Sequence, residues 1–590
     1  MPKKIKVLQD FTGGLNVDKA KGHLAENELE LADNADYSER GGCQKRKDVT
    51  NYLGSYSQQV ERIFEWSTSD GTEELMAILA DGSLVRTSTG ETIFQLIGTH
   101  ISYFVLQEYL YILDGNNYYR IDDTAFNYEV VAEKDTSKEV DGAEKFKAVL
   151  NDFVELENDN ITASSETVSL YSDADIIFEE GVHYDLNFTD GSIKCIKYNT
   201  DWAVSTSYSV GDIRVNNDKH YICTTAHTST TDDKPGVGDN YQDYWDKETV
   251  MEDDKDYYIE YKYTVASDND LTPIKKCKYA VRHDKSARVF AAGNTNDKSA
   301  LYYSEYLEPD YFKGYSVIYP TSNDGTIQGL QSMGGSLLVF YPESVWVWRG
   351  LDPERDAVWE KLPIKHGTYN FRSIETTMNT VTFVDKSGIY ALNRQRGIKS
   401  MTDNKVNNII KNINNKNSIH SVFDSSNNRY MLAYSDTSGR NDKILTYDWQ
   451  LDAFARWTGL GDINDFCYTK DGELLMASDN YIKKMNQPNG TNTIDFHIKS
   501  RNTHLKNPYY YKLILNLFLS LSNYTTSTQA TISVDDIDKV YNISANSTRN
   551  SLREKGVHIQ IDIQDNSTEN LIVYDYGIEF KVVPTYRGEL

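Results

Sequence analysis

The sequence predicts a mainly β protein: a β-propeller of about six blades, an inserted small β module and a C-terminal β-sandwich-like domain. Three observations lead there. In the stretch 327–392, Leu337, Val339 and Tyr341 alternate with Leu338, Phe340 and Pro342, and Val345 and Val347 alternate with Trp346 and Trp348. Gly334-Gly335 and Pro342-Glu343-Ser344 stand between these runs, and 381–392 repeats the layout around Asp385-Lys386-Ser387-Gly388. Short β-branched and aromatic runs joined by tight Gly, Asp or Asn turns are antiparallel hairpins. Second, such units recur at the ~40–50-residue spacing of propeller blades. Third, 43 Tyr, 20 Phe and 8 Trp against 11 Pro, with many Asn, Asp, Ser and Thr, suit β-strands and their turns.

At 590 residues the chain exceeds the ~250–300 at which a single core stops growing. Its 61 Lys plus Arg against 88 Asp plus Glu leave a net charge of −27. That balance argues against wrapping nucleic acid by neutralising phosphates. It suits a self-repelling surface, or a channel wall that DNA passes without sticking. Cys43, Cys195, Cys223, Cys277 and Cys467 form no CxxC pair, and an odd, scattered set is no disulfide framework. Assembly in a reducing cytoplasm is expected. The start, MPKKIKVLQDF, lacks the apolar core of a signal peptide, and no run approaches the ~18 apolar residues of a membrane span.

The segment 1–58 does not follow the blade rhythm and reads as an N-terminal arm or docking segment. Asp10-Phe11-Thr12-Gly13-Gly14-Leu15-Asn16 opens it. Over 27–35, one or two helical turns are predicted, with Asn27 as N-cap and Glu30 reaching back. Gly41-Gly42-Cys43-Gln44-Lys45-Arg46-Lys47 follows. These three pieces resemble the N-terminus of the tail nozzle proteins of short-tailed phages, the tail tubular protein B and DNA-stabilising tail hub proteins.

The first part of the propeller is placed at 59–132, with Ala80-Asp81-Gly82-Ser83 and Asp114-Gly115-Asn116-Asn117 as hairpin turns. An insertion occupies 133–270. Inside it, 199–249 holds Trp202, then Tyr208-Ser209-Val210-Gly211-Asp212, a strand around Tyr221, Pro235, Tyr241 and Trp245. This pattern resembles the small carbohydrate-binding modules first known from chitinases and cellulases. Flat aromatic faces stack on the apolar faces of sugar rings, so Trp202, Tyr221 and Trp245 are the candidate carbohydrate-binding residues. In so small a domain the same rings also serve as core. His220 and His227 beside Cys223 are a weak metal spacing.

The second part of the propeller is placed at 271–490. Ala300-Leu301-Tyr302-Tyr303-Ser304-Glu305 followed by Pro309-Asp310-Tyr311-Phe312 adds to the resemblance to the phage proteins. Val406, Ile409, Ile410 and Ile413 fall at helical spacing, predicting a short amphipathic helix on the propeller's outer edge or at a seam between subunits. The last stretch, 491–590, has longer strands and reads as the sandwich-like domain.

No catalytic residues, metal site or cofactor are expected: the P-loop, HExxH, GxSxG and post-strand GxGxxG motifs are all absent. The resemblance implies a structural virion protein, made in the host cytoplasm and residing in the phage tail. It would form a ring, commonly a hexamer, docked on other tail or adaptor proteins, and would hold DNA in its lumen without sequence-specific contact until ejection. The alternative is a glycan-binding tail adhesin whose partner is a host surface glycan. Under the nozzle reading, the basic clusters Lys45-Arg46-Lys47 and Arg394 with Arg396 are expected at subunit contacts or docking surfaces.

Overall fold

Seven four-stranded antiparallel meanders follow one another through the chain. The structure is a computed structural model that describes residues 2–583 apart from 99, 322, 356–357, 378, 438, 489 and 544–546. Six meanders are continuous, at 60–95, 102–130, 279–318, 329–361, 375–400 and 420–457. The seventh takes three strands, Ile463–Tyr468, Leu474–Ser478 and Tyr481–Gln487, and borrows its outer strand, Asp48–Asn51, from the start of the chain.

The propeller therefore has seven blades, not the six expected. Hairpin spacing undercounts a blade whose fourth strand lies at the far end of the sequence. The borrowed strand covers an edge that would otherwise stand unpaired. Apolar clusters bridge every neighbouring pair of blades. Trp66 and Ile78 pack with Leu110 and Ile112 between blades one and two, and Phe340 and Val347 meet Phe383 and Leu392 between four and five. Leu475 and Ala477 of blade seven close on Ile63 and Ala77 of blade one, which completes the ring.

The N-terminal segment is not a separate arm. Its strands complete the C-terminal sandwich. Glu28–Asp33 pairs with Ile494–Ser500 on one side and reaches blade six at Arg456 on the other, fusing blade and sandwich into one ten-stranded sheet. Lys4–Leu8 and Cys43–Lys45 pair with Ile572–Val583 in the facing sheet. The core between the sheets includes Phe11, Leu29, Phe496, Ile514, Leu517, Ile561 and Phe580.

One expectation fails here. The predicted helical turns over 27–35 are a strand, because both backbone edges of Glu28–Asp33 find partners, and ladder pairing outweighs a weak capping signal. Glu28 instead accepts hydrogen bonds from Asn16, Lys19 and the Ala25 amide. The predicted amphipathic helix does form, at Asn407–Lys411. Its Val406, Ile410 and Ile413 are buried in the same apolar cluster as the sandwich and blades five and six.

Residues 134–269 form a second compact unit. Lys138–Lys147, Asp256–Val265, Thr167–Leu170 and Asp173–Phe178 make one sheet, and Phe153–Glu155, Ser192–Cys195 and Tyr184–Asn187 another. Val168, Phe178, Ile193, Tyr257 and Ile259 fill the core they share. The stretch 199–249 is an insert within this unit. It has a two-stranded pair, Ser207–Tyr208 with His227–Thr228, and a three-stranded sheet of Ile213–Asn216, Lys219–Cys223 and Trp245–Glu248. All five cysteines are free and buried.

Candidate functional sites

The insert gathers Trp202, Tyr221 and Trp245 into one aromatic cluster with Tyr208 and Cys223, but gives the three different duties. Trp245 is 0% exposed. Tyr208 meets it edge-on at 5.1 Å between ring centroids and His227 at 5.5 Å. It presents no face to a ligand. Tyr221 is also buried, and Gly236 approaches its hydroxyl so closely that an added Cβ would lie 1.9 Å from the oxygen. With φ at +70°, Gly236 holds a backbone conformation that other residues rarely adopt. Trp202 alone of the three keeps open ring surface, with the Lys234 ammonium 5.8 Å from its centroid. Tyr241 and Tyr244, half-buried against the same cluster, are the further rings available to a ligand. Tyr244 carries no motif signal; it packs on the His227 ring, with centroids 4.4 Å apart.

The histidines of the insert serve local structure. His227 Nδ1 lies 2.8 Å from the Thr225 carbonyl oxygen and 3.8 Å from Cys223 Sγ. His220 Nε2 is 3.1 Å from the Tyr198 carbonyl oxygen. Among the described residues, no three His, Cys, Asp or Glu side chains converge to hold a metal.

A second group of polar side chains stands on the inner strands of the propeller. Asp465 of blade seven accepts from Arg62 Nε of blade one at 2.8 Å and from Arg372 Nη2, at the entrance to blade five, at 2.8 Å. Arg62 also donates to the Ile101 carbonyl at 3.2 Å. Desolvation raises the Asp465 pKa, but the two guanidinium charges outweigh it and bring it to about 2. Next to this group, burial and then the Arg372 charge push the His420 imidazole down to about 3, so it is neutral at ordinary pH. Glu375, half-buried on the inner strand of blade five, is pushed up to about 8 by desolvation and holds its proton at neutral pH.

A cavity of about 650 Å³ opens beside the group, lined by side chains of both signs that include Glu61, Arg62, Asp81, His100, Lys278 and Arg372. With Asp465 saturated by two guanidiniums and His420 fully buried, the group carries no free base or nucleophile pair. It acts as a polar tie across the axis. Sequence reasoning missed it because its members lie up to 403 residues apart.

The basic segment Lys45-Arg46-Lys47 is not the docking surface expected of it. Lys45 is buried in an ion pair with Asp565. Arg46 donates from Nε to Asn34 at 2.8 Å and lies over the Trp457 ring. Two of the three charges are used within the fold.

No protein-family model matches the chain, and no curated protein matches it. Solved structures with a related arrangement of strands include a streptogramin B lyase, at 9% identity and a TM-score of 0.30 over 74% of this chain and 96% of that one. Raptor of Chaetomium thermophilum aligns at 9% identity and a TM-score of 0.32, over 75% of this chain and 29% of that one. The Pan2 WD40 domain of Neurospora crassa aligns at 6% identity and a TM-score of 0.26, over 65% and 89%. Superpositions this loose carry no argument about activity.

Proposed function

We propose that this chain is a structural subunit of a short-tailed phage tail nozzle or hub. In this reading it assembles with copies of itself into a ring, docks on other tail or adaptor proteins, and surrounds DNA without reading its sequence. The supporting observation is the use made of the N-terminal segments that resemble that family. Phe11 is 1% exposed in the sandwich core. Gly14, at φ +67°, passes so close to blade six that an added Cβ would lie 2.8 Å from the Phe454 nitrogen. Asn16 donates to Glu28 at 2.9 Å and to the Asn404 carbonyl at 2.8 Å. These segments tie the two chain ends and the propeller together. The acidic net charge of −27 agrees with a wall that does not bind phosphates.

Light scattering on the purified chain, followed by a reconstruction of the particle, tests this. A closed ring around the tail axis is expected. A monomer seated outside the tube would sink the reading.

The half-open Trp202, Tyr241 and Tyr244 favour a second function on the same chain, glycan binding by an adhesin-like insert. A glycan array with the intact chain and with Trp202→Ala tests it. Absence of signal above background for the intact chain removes it.

A further inference from the structure

The acidic balance of the chain makes one pocket stand out. On the propeller, a cavity of about 330 Å³ is lined by Lys285, Arg349, Arg394 and Arg396, and no carboxylate lines it. With 88 acidic against 61 basic residues in the sequence, four cations around a pocket that no carboxylate lines are a local inversion of the overall charge. Like charges held together cost energy unless something neutralises them.

The pocket is assembled from three blades. Lys285 sits in the turn between Tyr279–His283 and Arg288–Ala292 of blade three. Arg349 follows Val345–Trp348 of blade four, and Arg394 and Arg396 belong to the turn after Ile389–Asn393 of blade five. The turn Gly334-Gly335 of blade four lies between them. A Cβ at Gly334 would be 3.2 Å from Arg394 Nε, and one at Gly335 would be 3.2 Å from Lys285 Cδ. Two glycines with positive φ, +55° and +77°, thus let two cationic side chains lie down over one turn.

Arg396 is neutralised by an ion pair with Glu360. Lys285, Arg349 and Arg394 have no acidic partner among the described residues. The floor beneath them is apolar, formed by Leu338, Val347 and Leu392.

We infer that this pocket binds a phosphate monoester. Three unpaired cations balance a group of charge about −1.5 to −2 better than a single carboxylate. Arginine forks match the oxygens of a phosphoryl group two at a time. The apolar floor accommodates a small non-polar body attached to it. The inference goes beyond the nozzle reading and does not rest on it.

The test is isothermal titration of the full chain at low salt with phenyl phosphate, inorganic phosphate and benzoate. Phenyl phosphate should bind saturably at one site per chain, more tightly than inorganic phosphate and more tightly than benzoate. Binding should weaken as salt is added. The double variant Arg349→Gln/Arg394→Gln changes two exposed side chains and should keep the melting temperature while losing about tenfold or more in affinity. Three results would overturn the inference: no saturable binding of phenyl phosphate at millimolar concentration, undiminished binding by the double variant, or benzoate binding as tightly as phenyl phosphate.

Discussion

Lys45 and Asp565, 520 residues apart, form an ion pair whose side chains are 1% and 0% exposed. The ammonium also donates to the Ser567 carbonyl at 2.9 Å, and the carboxylate accepts from Thr528 Oγ1 at 2.6 Å and Thr525 Oγ1 at 3.2 Å. Burial pushes the Asp565 carboxyl up, but hydrogen bonds from Lys45, Ser567 and Thr528 pull harder and leave it below the usual carboxylate range. A pair this enclosed adds little over a well-packed apolar pair, yet removing one partner strands the other.

Asp565→Asn or Lys45→Met should therefore each cost about 3–5 kcal/mol in denaturant unfolding. The double variant Lys45→Met/Asp565→Leu should recover most of that loss. Additive losses in the double variant would show that the two groups are not coupled. Because the Asp565 pKa is depressed on folding, its contribution is present above the ordinary carboxylate pKa and disappears as pH falls through the folded value.

Glu375 has the opposite sign. Its pKa rises to about 8 on folding, so the folded chain holds a proton that the unfolded chain releases. Stability should decline as pH rises from the ordinary glutamate value, about 4.3, toward 8, and level off above it. Glu375→Gln cannot lose that proton and should flatten this part of the melting profile. An unchanged slope in the variant would place the titration elsewhere.

Within the insert, Trp245→Ala should cost about 3–5 kcal/mol of the insert's own stability, as truncation of a fully buried aromatic does. Trp202→Ala, losing a half-exposed ring, should cost clearly less. Amide exchange restricted to 199–249 reads both. Equal losses would mean that Trp202 is as much a core residue as Trp245.

Deleting residues 1–51 removes the outer strand of blade seven and the N-terminal strands of both sandwich sheets. The truncated chain should lose its cooperative melt or aggregate through the newly bare edges. By contrast, replacing 199–249 with a short Gly/Ser bridge should leave the propeller transition in place, since the insert has its own core. A cooperative melt after the first deletion would show that the ring closes without its borrowed strand.

The blades were legible because hairpins are local. Alternation in Leu337 to Tyr341 and turns such as Asp114-Gly115 specify strand and reversal within a few residues, and the structure puts Gly115 at φ +85° there. The aromatic cluster of the insert was legible for the same reason, its members lying within one short stretch. Whether a given ring was core or surface was not, because Trp202 and Trp245 are the same residue type and differ only in what folds over them.

Residue order alone settled the class of fold and the identity of the aromatic cluster, both of which depend on neighbours in sequence. The blade count, the strand at Glu28–Asp33, the burial of Lys45 and the tie between Arg62 and Asp465 were decided by the tertiary structure. Each depends on pairing between distant segments. A free backbone edge or a buried charge accepts any partner that the rest of the chain brings within reach, and that choice leaves no local pattern to read.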